Sequence, residues 1–468
     1  MFSRILTLLL PALLAGCISL DPDYQRPAAP VPATLPYSAA SSSTAADIPW
    51  QETVTEPKLR QVITLALGSN RDLRQAIADI EAARAQYGVQ RASQIPTVNA
   101  GVEGSRGRSL SNTSDGNNNT AISQSYGAEI SVSAFELDLF GKKRSLSRAE
   151  FETYLATEEA AKTTRITLIA DTATAWVTLA ADQNQLLLAE ETLNSAEQSL
   201  KLAQLRQRNG VASRIDVAAM ETLYQSARAD VAQYKTTVAQ DKNALDLLVG
   251  QPVPASLLPV AAATLPQVIK AVPVGLSSDV LLNRPDVLAA EHKLKSANAN
   301  IGAARAAFFP SVTLTASGGV GSSALATLLS EGAGIWSLAP AITLPLFDGG
   351  ANQAALDYSQ AQKNGYIAAY EKAIQTAFKE VADALARKAT IQEQLMAQQA
   401  YVAAAQESFE LAQKRYKQGI DTYLNMLDAQ RTLYSAQASL ITVQQTQANN
   451  MITLYKVIGG GISDASKI

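Results

Sequence analysis

Few residues in this chain are equipped for chemistry. Among 468 residues there is one cysteine, Cys17, and one histidine, His292. A Cys–His nucleophile or a His/Cys metal cage therefore lacks its parts. His292 lies beside Glu291 in a helical stretch and reads as structural. The glycine runs Gly318-Gly319 and Gly459-Gly460-Gly461 read as loop and tail, not as a phosphate cradle between a strand and a helix. The expectation is a protein that is not an enzyme and holds no metal or cofactor. A formal charge of −3 leaves no nucleic-acid footprint.

Cys17 is the exception. Arg4 precedes a short apolar run, Ile5 to Leu14, which ends in Leu14-Ala15-Gly16-Cys17. The run is too short to span a bilayer, so residues 1–16 read as a signal peptide. Small residues before a lone cysteine form a bacterial lipoprotein cleavage box. Cys17 then becomes the first residue and carries covalent diacylglycerol and N-acyl lipid. Ile18, not an acidic residue, follows it, which favours the outer over the inner membrane. The competing reading is an ordinary signal peptide with an incidental cysteine.

Two other segments carry turn chemistry. Gly210 and Gly419 each end a long helical stretch, where a left-handed residue is wanted. Val211 and Ile420 follow them. Ser213 and Thr422 then stand where a helix cap belongs, and Asp216 completes a capping box with Ser213. Past the second turn, Leu424, Asp428 and Arg431 are spaced i, i+4 and i+7 and share one helix face. Such a face is either solvated surface or, if several copies meet about an axis, a ring of leucines and paired charges.

The elements that position these residues are long. Lys142 to Arg208 and Gln353 to Gln418 contain no proline, and each would be roughly 100 Å of helix. Coiled-coil packing uses helices of that length. Their alanine content allows close approach. Shorter helical stretches cover 59–94, 213–249 and 284–309. The shorter helices would stack end to end beside the long ones.

The chain also repeats itself. Ala203 to Val211 answers Ala412 to Ile420, and the match runs on through Ser213/Thr422, Ile215/Leu424 and Asp216/Asn425 at a constant offset. Gly88, Arg91-Ala92, Pro96 and Val98 answer Gly302, Arg305-Ala306, Pro310 and Val312. This is a tandem duplication. The expected organisation is a Pro-rich extended tether over 17–58, a first helix-strand-strand-helix-helix repeat over 59–250, a linker over 251–283, a second repeat over 284–458 and a tail over 459–468.

Each half holds two alternating strands. Val98, Ala100 and Val102 share one face, as do Tyr126, Ala128, Ile130, Val132 and Ala134. Val312, Leu314 and Ala316 form such a row, and so do Leu338, Ile342 and Leu344. A membrane β-barrel and a soluble sheet under a helix both explain this alternation. Four strands cannot enclose a lumen, whereas three chains would supply twelve. Trp336, Phe135, Phe140 and Phe347 near strand ends suit an interfacial belt. Leu110–Gln124 and Gly318–Gly334 read as polar surface loops.

The duplication, the lipid box, Leu139-Phe140-Gly141-Lys142-Lys143-Arg144, Asn283-Arg284-Pro285-Asp286-Val287, Phe309-Pro310-Ser311 and Leu346-Phe347-Asp348-Gly349-Gly350 together resemble the TolC-type outer-membrane factors, the lipidated OprM/NodT branch in particular. The resemblance covers nearly the whole chain after Cys17. It implies a mainly α protein with a small β portion: a homotrimer with a long α-helical barrel and a 12-stranded β-barrel, four strands per chain. It implies an outer-membrane exit duct that extends into the periplasm, passively conducting drugs or other small molecules. The implied partners are outer-membrane lipid, a periplasmic membrane-fusion adaptor and an inner-membrane pump of RND type. The tips at Gly210, Val211, Ser213, Gly419, Ile420 and Thr422 would meet the adaptor. Tyr423 to Arg431 matches the family's pore-closing stretch, which assigns Leu424, Asp428 and Arg431 to a gate. A periplasmic adaptor lipoprotein and a coiled-coil scaffold without a pore are the rival readings.

Overall fold

The computed structural model describes residues 19–37, 49–112, 118–262, 265, 268–270, 277–330 and 334–460. Cys17 and the apolar run before it lie outside these residues. The chain is mainly helical with one sheet. Its elements are α1 (Pro57–Ser69), α2 (Arg71–Ala92), β1 (Val98–Asn112), β2 (Asn118–Leu137), α3 (Lys142–Arg208), α4 (Arg214–Val249), α5 (Pro285–Ala306), β3 (Ser311–Ser322), β4 (Gly334–Thr343), α6 (Ala351–Lys417) and α7 (Tyr423–Val457). The duplication is exact in element length where it matters most: α3 and α6 both have 67 residues, and α2 and α5 both have 22.

The chain divides into two compact units. The first comprises the N-terminus to Pro27, Glu81–Ala156 and Ala290–Tyr370; the second comprises Ala28–Ile80, Thr157–Ala289 and Glu371 onward.

The first unit contains the sheet, antiparallel in the order β1-β2-β3-β4. Register decides its faces. Val98 pairs with Val132, Ala100 with Ile130 and Val102 with Ala128. Val132 in turn pairs with Ala316, and Ala316 with Leu338, while Val312 pairs with Ile342. Period-2 alternation therefore merges the apolar rows of all four strands into one continuous face. That face is bare in the single chain: Val102 is 84% exposed, Trp336 82% and Ile342 74%.

Two expectations about the strands are corrected. Ala134 does not continue the apolar row of β2. The register shifts between Val132 and Phe135, and Ala134 takes a φ of 46°. This bulge hands the apolar face to Phe135 and Leu137, because one inserted residue inverts the alternation beyond it. The strands also run far into the expected loops, with Leu110 pairing Thr120 and Gly319 pairing Glu129. Ser, Asn and Gly are poor strand formers alone, but cross-strand pairing overrides that preference.

Residues 19–37 are extended, as their prolines require, and are fastened to the helices. Asp21 accepts hydrogen bonds from Ser145 and Arg148. Arg26 and Tyr24 both bind the buried carboxylate of Glu291. Asp21 passes so close to α5 that only glycine fits at 302, since a Cβ there would overlap the Asp21 carboxylate. His292 Nδ1 lies 2.6 Å from Glu152 Oε2, tying α5 to α3, which agrees with a structural role.

The second unit is coiled-coil packing. On α3, Ala173 and Ala180, then Ala189, Ala196 and Ala203, recur every seven residues and are nearly fully buried. On α6, Ile374, Ala377, Val381, Ala384 and Ile391 follow the same heptad spacing. The helical stretch expected over 59–94 is broken at Asn70. Its side chain accepts from the Leu73 amide and donates to the Leu248 carbonyl, both at 2.8 Å. Asn70 thus caps α2 and joins it to the end of α4. Gly250, at φ +80°, packs against the Ser69 carbonyl there and leaves no room for a side chain. Arg284 is buried and binds Asp286, Glu380 and the Val457 carbonyl, which locks the ends of α5 and α7 to α6.

Candidate functional site

The two hairpin tips are built by the same local code. At the end of α3, the Val211 amide donates to the Arg206 carbonyl and the Gly210 amide to that of Gln207. At the end of α6, Ile420 donates to Arg415 and Gly419 to Tyr416. These are paired Schellman closures, which need a left-handed residue at the glycine. Gly210 has φ +75° and Gly419 φ +73°.

The caps that follow differ. Ser213 forms the expected capping box: its hydroxyl accepts from the Asp216 amide, and the Asp216 carboxylate accepts from the Ser213 amide. Thr422 stands at the cap position of α7, but its side chain makes no capping bond. Asp421 does that work instead. It accepts from the Thr422 amide, from Asn425 Nδ2 and from Arg415 Nε. These bonds, the backbone one foremost, hold the Asp421 carboxyl below its usual range.

The tips pack on one another through a cluster of Leu200, Ala203, Val217, Met220, Tyr416, Tyr423, Met426 and Leu427. The Tyr416 and Tyr423 rings meet edge-on at 5.5 Å, and the Arg206 guanidinium sits 4.8 Å over Tyr416. Burial raises the Tyr423 phenol. With Tyr423, Met426, Leu427 and Gln430 turned inward, helical periodicity turns Leu424, Asp428 and Arg431 outward together. Leu424 is 68% exposed. Asp428 and Arg431 make no ion pair with each other or with any described residue of the same chain. Val211, Ile420 and Thr422 are also exposed.

Sequence reasoning missed three features, one local and two between residues far apart in the chain. They are the Asp421 brace, the Tyr416–Arg206 contact, and a carboxyl pair between α3 and α4. In that pair, burial, then hydrogen bonding to Asp241 and its charge, push Asp182 up to about 7.

No helix among the described residues is long and apolar enough to cross a membrane. The large bare apolar surface of the first unit belongs to the sheet, and in the second unit the long helices end in paired hairpins. A family model described as outer membrane efflux protein matches residues 62–251 and again 276–460. The chain belongs to the outer membrane efflux protein family. It is 46% identical over 467 residues to the toluene efflux pump outer membrane protein TtgC of Pseudomonas putida, covering 98% of this chain and 96% of that protein. The antibiotic efflux pump outer membrane protein ArpC of Pseudomonas putida matches with the same identity and coverage. The open-state MtrE outer membrane channel of Neisseria gonorrhoeae superposes with a TM-score of 0.85 at 38% identity, over 95% of this chain and 98% of that one. The chain is thus an outer-membrane exit duct of an efflux system, and its role is transport. The adaptor and scaffold readings are set aside.

Proposed function

We propose that three copies of this chain close into a lipid-anchored duct. It would receive cargo through a periplasmic membrane-fusion adaptor from an inner-membrane pump of RND type. The observation that carries this reading is the sheet: one face carries a continuous apolar band across all four strands, and neither β1 nor β4 has a partner on its outer edge among the described residues. Open edges are not tolerated in lipid. A threefold axis pairs β4 of one copy with β1 of the next and closes three four-stranded sheets into twelve strands.

In this reading Cys17 carries the acyl groups. The Gly210–Ser213 and Gly419–Thr422 tips meet the adaptor. Leu424, Asp428 and Arg431 from three copies face the axis and narrow the pore, with Asp428 and Arg431 pairing between copies. Toluene and antibiotics in the names of the relatives support small apolar and amphipathic cargo. The pump supplies the energy.

Native mass spectrometry of protein extracted from outer membranes in mild detergent tests this. The expected mass is three chains, each beginning at Cys17 with its lipid. A single lipidated chain would overturn the closed duct.

A further inference from the structure

The sheet register sorts charge by face, and the sorting is complete. Glu103, Glu129 and Glu136 fall on the polar face, with Asn99, Ser131, Thr313 and Ser317. Arg106 and Arg108 fall on the other face, in line with Val98, Ala100 and Val102. They are the only charged residues on the apolar side of the four strands.

Their height is equally specific. On β2 the apolar row runs from Leu137 through the bulge to Tyr126. At about 3.3 Å per residue and a tilt near 45°, that spans roughly 25 Å, the height of a membrane barrel's apolar band. Tyr126 closes the row, its ring lying against Gly104, where a side chain would crowd it. Arg106 pairs with Gln124, one rung beyond Tyr126, and Arg108 with Ile122, one rung further. The chain connects β1 to β2 and β3 to β4 at this end, and α2, α3, α5 and α6 join the strands at the other, so in this reading the hairpin end is the extracellular rim.

An arginine buried in hydrocarbon would be costly, but one just past an aromatic girdle sits at headgroup level. Arg108 donates to Thr120 Oγ1 at 3.1 Å, which orients it; Arg106 has no partner among the described residues. The neighbouring copy cannot neutralise them from its own β4, whose same-face residues are Gly334, Trp336, Leu338, Pro340 and Ile342. A guanidinium pair spaced about 7 Å apart, facing lipid at that height, matches phosphate oxygens bound bidentately.

We propose that Arg106 and Arg108 form a docking site for the phosphates of the outer-leaflet glycolipid, one site per copy. The inference rests on the reading of the apolar face as lipid-facing.

The test uses the full-length trimer in mild detergent. It is titrated with bis-phosphorylated lipid A, with the same lipid A stripped of phosphate, and with phosphatidylglycerol. Bound lipid is counted by native mass spectrometry, and each preparation is also reconstituted into planar bilayers. The expected result is bis-phosphorylated lipid A held roughly tenfold more tightly than either other lipid, with that preference lost in R106Q/R108Q and largely kept in R106K/R108K. Equal retention of all three lipids by the wild type overturns the proposal, as does preference that survives in R106Q/R108Q. Retention of phosphatidylglycerol as strong as lipid A also overturns it, since the site would then read charge alone. Should R106Q/R108Q not assemble, the wild-type comparison of lipid A with and without phosphate decides by itself. Preparations that give no conductance point to failure of the barrel reading, whereas conducting channels without phosphate preference point to failure of this inference alone.

Discussion

The two helical hairpins began as one sequence, and they have diverged in what they carry. At the constant offset, Tyr416 of the second hairpin stands where the first has Gln207. Leu424, Asp428 and Arg431 stand where the first has Ile215, Ala219 and Thr222. The reverse holds deeper in the helices: Asp182 and Asp241 of the first hairpin are answered by Ile391 and Asn450. The turn itself is unchanged, with matching left-handed glycines and matching closures. Duplication kept the fold of the tip and left each copy free to vary its outward and buried chemistry.

The largest expected difference between the copies lies in the aromatic contact. Tyr416 is buried against Tyr423 and lies under Arg206, so Tyr416→Ala should cost about 3–5 kcal/mol locally. Gln207→Ala, at the matching place, should cost about 0.5 kcal/mol or less. Hydrogen exchange of the two tips reads this out. Equal protection loss in both variants would show that the second tip is not held by its aromatic pair.

The glycines set the common baseline. Gly210→Ala and Gly419→Ala each force a Cβ into the left-handed region and should each destabilise by about 1–2 kcal/mol. The two values should agree, because the closures are the same. A large disparity would mean that packing, not backbone strain, fixes one of the turns. The caps should then separate the copies again. Ser213→Ala removes a made capping bond and should cost about 1 kcal/mol, while Thr422→Ala removes none and should be near neutral.

How much of this was legible in the sequence follows the range of each interaction. Gly210, Gly419 and the Ser213–Asp216 box are local codes, complete within a few residues, and they read correctly. Long heptad helices and the duplication are periodic and read equally well. Asn70 reads as one more helical residue until the Leu248 carbonyl, far along the chain, turns it into a cap. The bulge at Ala134 rests on pairing with β3, where Thr315 takes the Ala134 amide. Thr422 resembles Ser213 by position, but the neighbouring Asp421 can recruit Arg415, and a charge-assisted brace displaces a hydroxyl. Asn70 and Ala134 are misread because their partners are remote, whereas Thr422 is misread because a stronger acceptor stands beside it.

The carboxyl pair gives the first hairpin a dependence on pH that the second lacks. Asp182 is pushed from 3.8 up to about 7 by burial, then by Asp241. A carboxyl raised on folding binds its proton more tightly in the folded state. Its contribution is therefore full below the unfolded value and is lost as pH rises through about 7. Protection of α3 and α4 around this pair should fall between pH 4 and 8, roughly, with no matching change at Ile391 and Asn450. Asp182→Asn should flatten the profile. A pH trend that persists in that variant would place its origin elsewhere.

The smallest energies belong to the proposed gate, and there the readout is more sensitive than stability. Asp428 and Arg431 are exposed and have no partner among the described residues of their own chain, which leaves them open to pairing with a second copy. An exposed pair contributes only about 0–1 kcal/mol, but three copies about an axis act on one opening, which allows a several-fold shift in its population. Asp428→Ala with Arg431→Ala should therefore leave the trimer intact and raise single-channel conductance several-fold in planar bilayers, with each single variant in between. The mirror experiment places a charge at the matching position of the first hairpin, Thr222→Arg, which should leave conductance where it was. If the double variant conducts like the wild type, the charges are solvated surface and closure must rest on Leu424 alone. If Thr222→Arg changes conductance as much as loss of the native pair does, both hairpins face the pore, and the division of labour between the duplicated copies falls.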